Sequence, residues 1–282
     1  MNAFLETSDY ETQFPVRCFA TNDNNFLAHW HMDIEMVYVL NGSIKIGVNT
    51  ECRILNQDEF AVFISTDIHY YDSTNLSSNI IVLKFKPELI GYQNGWPEKV
   101  KFSSPFMDKQ ILSKASVELH ETIKNIFLSV LEETNNKLPY YENYIKAKLG
   151  ELCSLLLRHF PTVPINKNKN LEKLPHIERM QQTIKYLENN LIQDISLEDV
   201  AREINLNPSY FSRIFKNYVG INFKKYLSRL RIEKAETLLV ITSDSIIDIC
   251  FQCGFNSVRT FNRTFKQVRG YSPSKVQKNN KP

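Results

Sequence analysis

Residues 212–220 read SRIFKNYVG and residues 262–270 read NRTFKQVRG, so the pattern Arg-x-Phe-Lys-x-x-x-Gly is written twice. In the first copy Phe211, Phe215 and Tyr218 fall at i, i+4 and i+7, one stripe of an α-helix. Ser209, Ser212, Arg213 and Lys216 fall on another side. The second copy repeats the design, with Phe261, Phe265 and Val268 as the apolar stripe and Arg259, Asn262, Arg263 and Lys266 as the polar one. Each phrase is expected to form a helix with a buried aromatic face and an exposed basic, hydrogen-bonding face.

What precedes each copy separates a recognition helix from an ordinary amphipathic one. SLEDVAREINLNPS (196–209) gives an apolar-periodic helix opened by Ser196 with Asp199 at its third position. Small Ala201 lies inside it, a tight turn follows over Asn205 to Asn207 with Leu206 inward, and Pro208 begins the next helix. SIIDICFQCGFNS (245–257) repeats the plan, with Cys250 in place of Ala201, Phe255 in place of Leu206, and Gly254 at a left-handed turn. The offset between copies is 49 residues in the leading helix and 50 in the second, so the second turn is one residue longer. Both units read as helix-turn-helix modules, at about 196–219 and 245–268.

A helix fits the major groove of B-DNA, where Arg donates twice to guanine and Asn pairs with adenine, while Lys holds phosphates. Ser209, Tyr210, Ser212 and Arg213, with Val258, Arg259, Asn262 and Arg263, are assigned to base edges; Lys216 and Lys266 are assigned to phosphates. Between the modules, residues 223–240 read as a helix about 27 Å long at 1.5 Å per residue. That approaches the roughly 34 Å between successive major-groove faces, so one chain is expected to read two adjacent turns of one side of DNA. Charge agrees: from Leu171 onward there are 18 Lys and Arg against 11 Asp and Glu, whereas the preceding residues carry 16 against 20.

These residues resemble those of a known family. Residues 177–276 resemble the DNA-binding domain of AraC/XylS-family transcription regulators, whose signature runs through IIDICFQCGFNSVRTFNRTFKQVRGYSPSKV, including Gly270-Tyr271-Ser272-Pro273. The resemblance implies two helix-turn-helix subdomains joined by a long helix, base contacts from both recognition helices, and an amino-terminal sensor and dimerisation domain. Val258 departs from relatives with a polar residue there; its side chain suits a thymine methyl.

The 282 residues suggest about two domains, at 43% hydrophobic and 23% charged. The start, MNAFLETSDYET, lacks a signal peptide's basic and apolar regions, and no apolar run is long enough to span a membrane, which predicts a cytoplasmic protein. Five scattered cysteines, 18, 52, 153, 250 and 253, predict reduced thiols. Cys250-x-x-Cys253 has no second metal-binding pair nearby and is read as core.

Ahead of the basic end, residues 161–175, PTVPINKNKNLEKLP, read as a linker. Residues 14–90 alternate β-rich runs (MVYVLNG, SIKIGVN, FAVFIS, IIVLKFK) with Asn, Gly and Asp turns, the pattern of an antiparallel sandwich or barrel. Residues 108–160 turn helical, with one stripe of Leu119, Ile123, Ile126 and Val130 and another of Ile145, Leu149, Leu152 and Leu156; the second is expected to pair two copies of the chain.

AHWHMDIEMVYVLNG contains His29-x-His31-x3-Glu35-x6-Gly42, which resembles the first cupin metal motif. Positions 29, 31 and 35 share one parity and can face one barrel interior, where His69 from a later strand can join them. The second cupin motif is poorly kept in FISTDIHYY, and sensor domains of the AraC type resemble degenerate cupins. No metal, cofactor or catalytic residue is therefore assigned. Arg17, His29, His31, Glu35, Tyr38, His69, Tyr71 and Trp96 are instead the candidates for binding a small-molecule effector, a sugar being the class the resemblance favours.

The expectation is an α+β, two-domain protein. Residues 1–160 would form a cupin-like ligand-sensing and dimerisation domain and residues 176–282 an all-α AraC-type DNA-binding domain. It would be a non-enzymatic, homodimeric regulator whose partners are double-stranded DNA, an effector and RNA polymerase. The alternatives are a metal-responsive regulator, a regulator without a small ligand, or a cupin metalloenzyme fused to a DNA reader.

Overall fold

The computed structural model describes residues 14–92, 96–164 and 174–279. Two compact units divide the chain, with the main boundary between Leu174 and Pro175, and Leu27–His29 fall in the unit that holds the carboxy-terminal helices.

The first unit is organised by one long strand. β1 (Val16–Asn22) and β2 (Phe26–His29) precede β3, which runs unbroken from Ile34 to Val48. MVYVLNG and SIKIGVN, expected as separate runs, are thus halves of one strand. The ladder shifts register between Val39 and Asn41, and Gly42 adopts φ +76°, so the strand is redirected rather than ended. The first half of β3 pairs with β5 (Phe60–Phe63) and β7 (Ser78–Phe85), the second with β4 (Glu51–Asn56) and β6 (His69–Asp72). β7 carries β1, β6 carries β2, and β5 carries β9 (Phe106–Met107). Two sheets thereby share β3. Among the described residues no ladder joins their outer strands, so the expected barrel is an open, two-layered sheet.

Period-two alternation on β3 then defines two cores. Ile34, Met36 and Tyr38 face the layer covered by helices; Val37 and Val39 face the other sheet. After β8 (Val100–Phe102) and β9 come α1 (Lys109–Leu112), α2 (Val117–Asn136) and α3 (Tyr141–His159). Ser116 caps α2 by accepting from the amide of Leu119. Ile123, Ile126, Phe127 and Val130 of α2 and Ile145, Leu149, Leu152 and Leu156 of α3 are all buried in the helix-covered core. Each contributes about 1.5–3 kcal/mol by leaving water. This corrects one expectation: the α3 stripe is intramolecular, because α2 and the turn at Pro87–Ile90 pack against α3 and bury the stripe within the unit's own core. The stretch read as a linker also begins with structure, since β10 (Thr162–Pro164) pairs with β8; its residues 165–173, like the amino-terminal segment 1–13, lie outside the described residues.

The second unit is helical: α4 (Leu174–Asn190), α5 (Leu197–Glu203), α6 (Pro208–Val219), α7 (Phe223–Ile241), α8 (Ile246–Gln252), α9 (Val258–Arg269) and α10 (Pro273–Asn279). The caps are those the sequence writes. Ser196 and Asp199 form a reciprocal capping box on α5, and Asn207 accepts from the amides of Ser209 and Tyr210 ahead of Pro208. Ser245 and Ser257 cap α8 and α9. α6 and α9 both end at glycines in the left-handed region, Gly220 (φ +78°) and Gly270 (φ +80°). The turn from α5 to α6 spans 204–207 and that from α8 to α9 spans 253–257, one residue longer, as the offset requires. Among the described residues no helix is long and apolar enough to cross a membrane.

Candidate nucleic-acid interface and buried polar cluster

The two repeated phrases form α6 and α9. In each module a row of edge-to-face rings holds the helix down. Phe215 meets Phe211 at 5.5 Å, Phe223 at 5.8 Å and Tyr226 at 5.4 Å, while Phe261 meets Phe255 at 5.2 Å and Phe265 at 5.8 Å. Ala201 and Cys250, the small residues at which paired helices cross, are fully buried.

The opposite faces are open. Ser209, Arg213 and Lys216 of α6, and Arg259, Asn262, Arg263 and Lys266 of α9, are exposed; Tyr210, Ser212 and Val258 are half-buried. No ion pair among the described residues engages Arg213, Arg259, Arg263, Lys216 or Lys266, although Arg269 pairs with Glu236 at 2.8 Å and Arg202 with Asp199 at 3.5 Å. The Arg213 guanidinium lies 5.4 Å from the Tyr210 ring centre, a contact that orients it without neutralising it. Two faces carrying uncompensated cations beside hydrogen-bonding side chains are suited to phosphates and base edges.

Sequence reading missed what fixes one module against the other. Arg231, on α7, donates from Nε to the carbonyl of Leu191 at 2.8 Å and from Nη2 to that of Gln193 at 2.7 Å, and lies over the Phe255 ring at 6.0 Å. Gly254 (φ +78°) closes the same junction, for a Cβ there would stand 2.5 Å from the Leu191 carbonyl oxygen. One arginine thus joins the end of α4, the linking helix and the second turn. Its partners lie about 40 positions away in sequence, where no local spacing points. Cys250 and Cys253 are free, buried thiols in the core of the second module; burial pushes the Cys253 thiol up to about 11.

In the first unit, three of the eight effector candidates converge. The ligand atoms of His31, Glu35 and His69 all lie within 4.8 Å of one another, and every one of these residues is buried. His31 Nε2 is 2.9 Å from Glu35 Oε2, His69 Nε2 is 3.7 Å from Glu35 Oε1, and the Tyr71 hydroxyl donates to Glu35 Oε1. Burial alone would raise the Glu35 pKa. The hydrogen bonds and charge of His31 and His69 outweigh it and hold the carboxyl well below the usual range. Phe63 stacks on His69 with ring centres 4.4 Å apart.

The other candidates divide. Across the ladders Glu35 stands opposite Lys84, and Lys84 opposite Arg17, which places all three on the face that bears Glu35. Lys84 is buried and was not anticipated, because in IIVLKFK it reads as the end of an apolar strand. Tyr38 and Trp96 do not join the cluster. Both belong to the helix-covered core, Tyr38 because its even position turns it away from Glu35, and Tyr38 donates to Asp58 at 3.0 Å.

Residues 200–279 match the family model described as a helix-turn-helix domain. The chain is 23% identical over 265 residues to the melibiose operon regulatory protein of Escherichia coli (strain K12), covering 89% of this chain and 83% of that one. It is 36% identical over 99 residues to the regulatory protein PocR of Salmonella typhimurium, covering 35% of this chain and 33% of that one. A solved AraC-type regulator from Chromobacterium violaceum is 28% identical, covering 36% of this chain and 92% of that one, with a TM-score of 0.35. Two capped helix-turn-helix modules with open basic faces, in a stretch that matches the helix-turn-helix family model, make this chain a DNA-binding transcription regulator. Its helix-turn-helix domain is of the AraC type.

Proposed function

We propose that the chain reads promoter DNA with α6 and α9 together, one monomer occupying two successive major grooves, and that a small molecule received in the sheet unit controls this. The observation that carries the reading is the pair of exposed arginines, Arg213 and Arg263, each projecting from a helix whose opposite face is locked by phenylalanines and neither paired with an acid. The modules differ where bases would be touched: Ser209 and Ser212 on one side, Arg259 and Asn262 on the other. Each half-site therefore has its own sequence.

The effector is a sugar in this reading. The name of the melibiose operon relative supports that class, as do the polar groups that Arg17, Glu35, Tyr71 and Lys84 bring to one face of the sheet, which include both donors and acceptors for hydroxyl groups. The protein acts in the cytoplasm as a homodimer and hands its signal to RNA polymerase; it performs no catalysis. Binding to selected DNA, measured by fluorescence anisotropy with and without a panel of mono- and disaccharides, tests the reading. A sugar that changes affinity supports it. Failure of the protein to prefer any DNA sequence would overturn it.

A further inference from the structure

We infer that His176, in the first turn of α4, is a positioning residue for base reading: it seats Tyr210, and through Tyr210 it fixes the direction in which Arg213 projects from α6. The inference rests on the proposal that Arg213 reads a base edge. Its first ground is a row of three side chains drawn from two helices. The imidazole of His176 meets the Tyr210 ring edge to face, with ring centres 6.3 Å apart and planes at 63°. The Arg213 guanidinium lies 5.4 Å from the centre of that same phenol ring. His176 belongs to α4 and the other two to α6, so a helix outside the helix-turn-helix pair supports a residue of its reading face.

The second ground is where the imidazole sits. His176 continues by one turn the stripe of Met180, Thr183, Ile184 and Leu187, all four fully buried, and is itself half-buried at the rim of that side of α4. Periodicity alone would put an aliphatic side chain at such a position. The imidazole there has its Nδ1 shielded from solvent, with no hydrogen bond among the described residues. A shielded nitrogen without a partner costs stability rather than adding it. What the ring supplies is an aromatic wall for Tyr210.

The third ground is the contrast with the second module. The 50-residue offset sets Arg263 against Arg213 and Thr260 against Tyr210. Thr260 is exposed and has no ring, so the second module lacks this platform. A long side chain free among its rotamers loses that freedom on docking, whereas one already laid on an aromatic face loses less. Arg213 is therefore ordered before it meets DNA by a contact that Arg263 does not have, and discrimination at the first half-site depends on a residue from outside the module.

The test measures binding of the full chain to DNA selected from a random pool, by fluorescence anisotropy at several salt concentrations and with each base pair of the site changed in turn. His176→Leu keeps the apolar volume and His176→Gln keeps a polar group at the rim; if urea midpoints show that one fails to fold, the other carries the test. Each is expected to lose about two- to tenfold in affinity. Each should also lose discrimination at the base pair where Arg213→Ala loses it, and leave the salt slope unchanged. In the Arg213→Ala background neither should weaken binding further, and His176→Phe should stay within about twofold of wild type. A packing role alone would lower affinity in both backgrounds, and that result overturns the inference. So does a salt slope lower by about one, the mark of a direct phosphate contact, and so do His176 variants that bind like wild type while Arg213→Ala does not. If Arg213→Ala itself binds like wild type, the base-reading proposal falls and the inference falls with it.

Discussion

Arg231 Nε donates to the carbonyl of Leu191 at 2.8 Å, and through that bond the linking helix α7 holds the end of α4. The same guanidinium reaches Gln193 at 2.7 Å and covers Phe255, so one side chain ties the segment before the first module to the turn of the second. Arg231→Ala leaves two carbonyls without their charged donor and is expected to cost about 2–3 kcal/mol in urea unfolding. Arg231→Lys recovers only part, since an ammonium lacks the fork that meets two carbonyls. DNA carrying both half-sites should lose more affinity to Arg231→Ala than DNA carrying one.

Gly254 offers a second probe of the same junction. With φ +78° and a would-be Cβ 2.5 Å from the Leu191 oxygen, Gly254→Ala suffers both backbone strain and a clash with main chain. A loss of about 1–3 kcal/mol or more is expected in the same unfolding measurement. Gly270→Ala meets no neighbour and should show the strain alone.

Within each module, packing and reading should separate cleanly. Phe215→Ala and Phe265→Ala, both fully buried, are expected to cost about 3–5 kcal/mol of stability. Arg213→Ala and Arg263→Ala, on the open face, should leave stability within about 0.5 kcal/mol yet cost about 1–3 kcal/mol of operator affinity. Lys216→Ala should weaken binding to all sequences alike and lower the salt slope by about one, which titrations at several salt concentrations would show.

The sheet unit has its own acid-sensitive tie. Asp58 accepts from Tyr38 and from Lys124 of α2, each at 3.0 Å. Burial raises its pKa, but the two hydrogen bonds and the lysine charge outweigh this and set it below the ordinary carboxylate value. A folded pKa below the unfolded one means the contribution is complete above about pH 5 and fades as pH falls through the folded value. The group is half exposed, so Asp58→Asn should cost only about 0.5–1 kcal/mol at pH 7. The gap between Asp58→Asn and wild type, read from urea midpoints, should shrink by pH 3.

Much of the helical unit was legible because its determinants are local. Ser196 with Asp199, Pro208, the buried Phe215 and Phe265, and the one-residue difference between turns all act within a few positions of one another. The convergence of His31, Glu35 and His69 followed from parity on strands plus one long-range pairing. What stayed hidden was long-range or ambiguous by pattern. Arg231 is an ordinary basic residue until Leu191 is beside it. Lys84 looks like the end of a strand until its rung with Glu35 is known. Tyr38 and Trp96 have the chemistry of ligand contacts, yet lie in the helix-covered core. The stripe through Leu149 and Leu156 shows helix periodicity, but periodicity names a buried face without naming what covers it.

Footprinting by hydroxyl radical on an operator obtained by selection from random DNA tests the central claim most directly. Wild type should protect two patches on one face of the duplex, about 10 base pairs apart, with Arg213→Ala weakening one patch and Arg263→Ala the other. A single patch, or two patches unchanged in both variants, would contradict it.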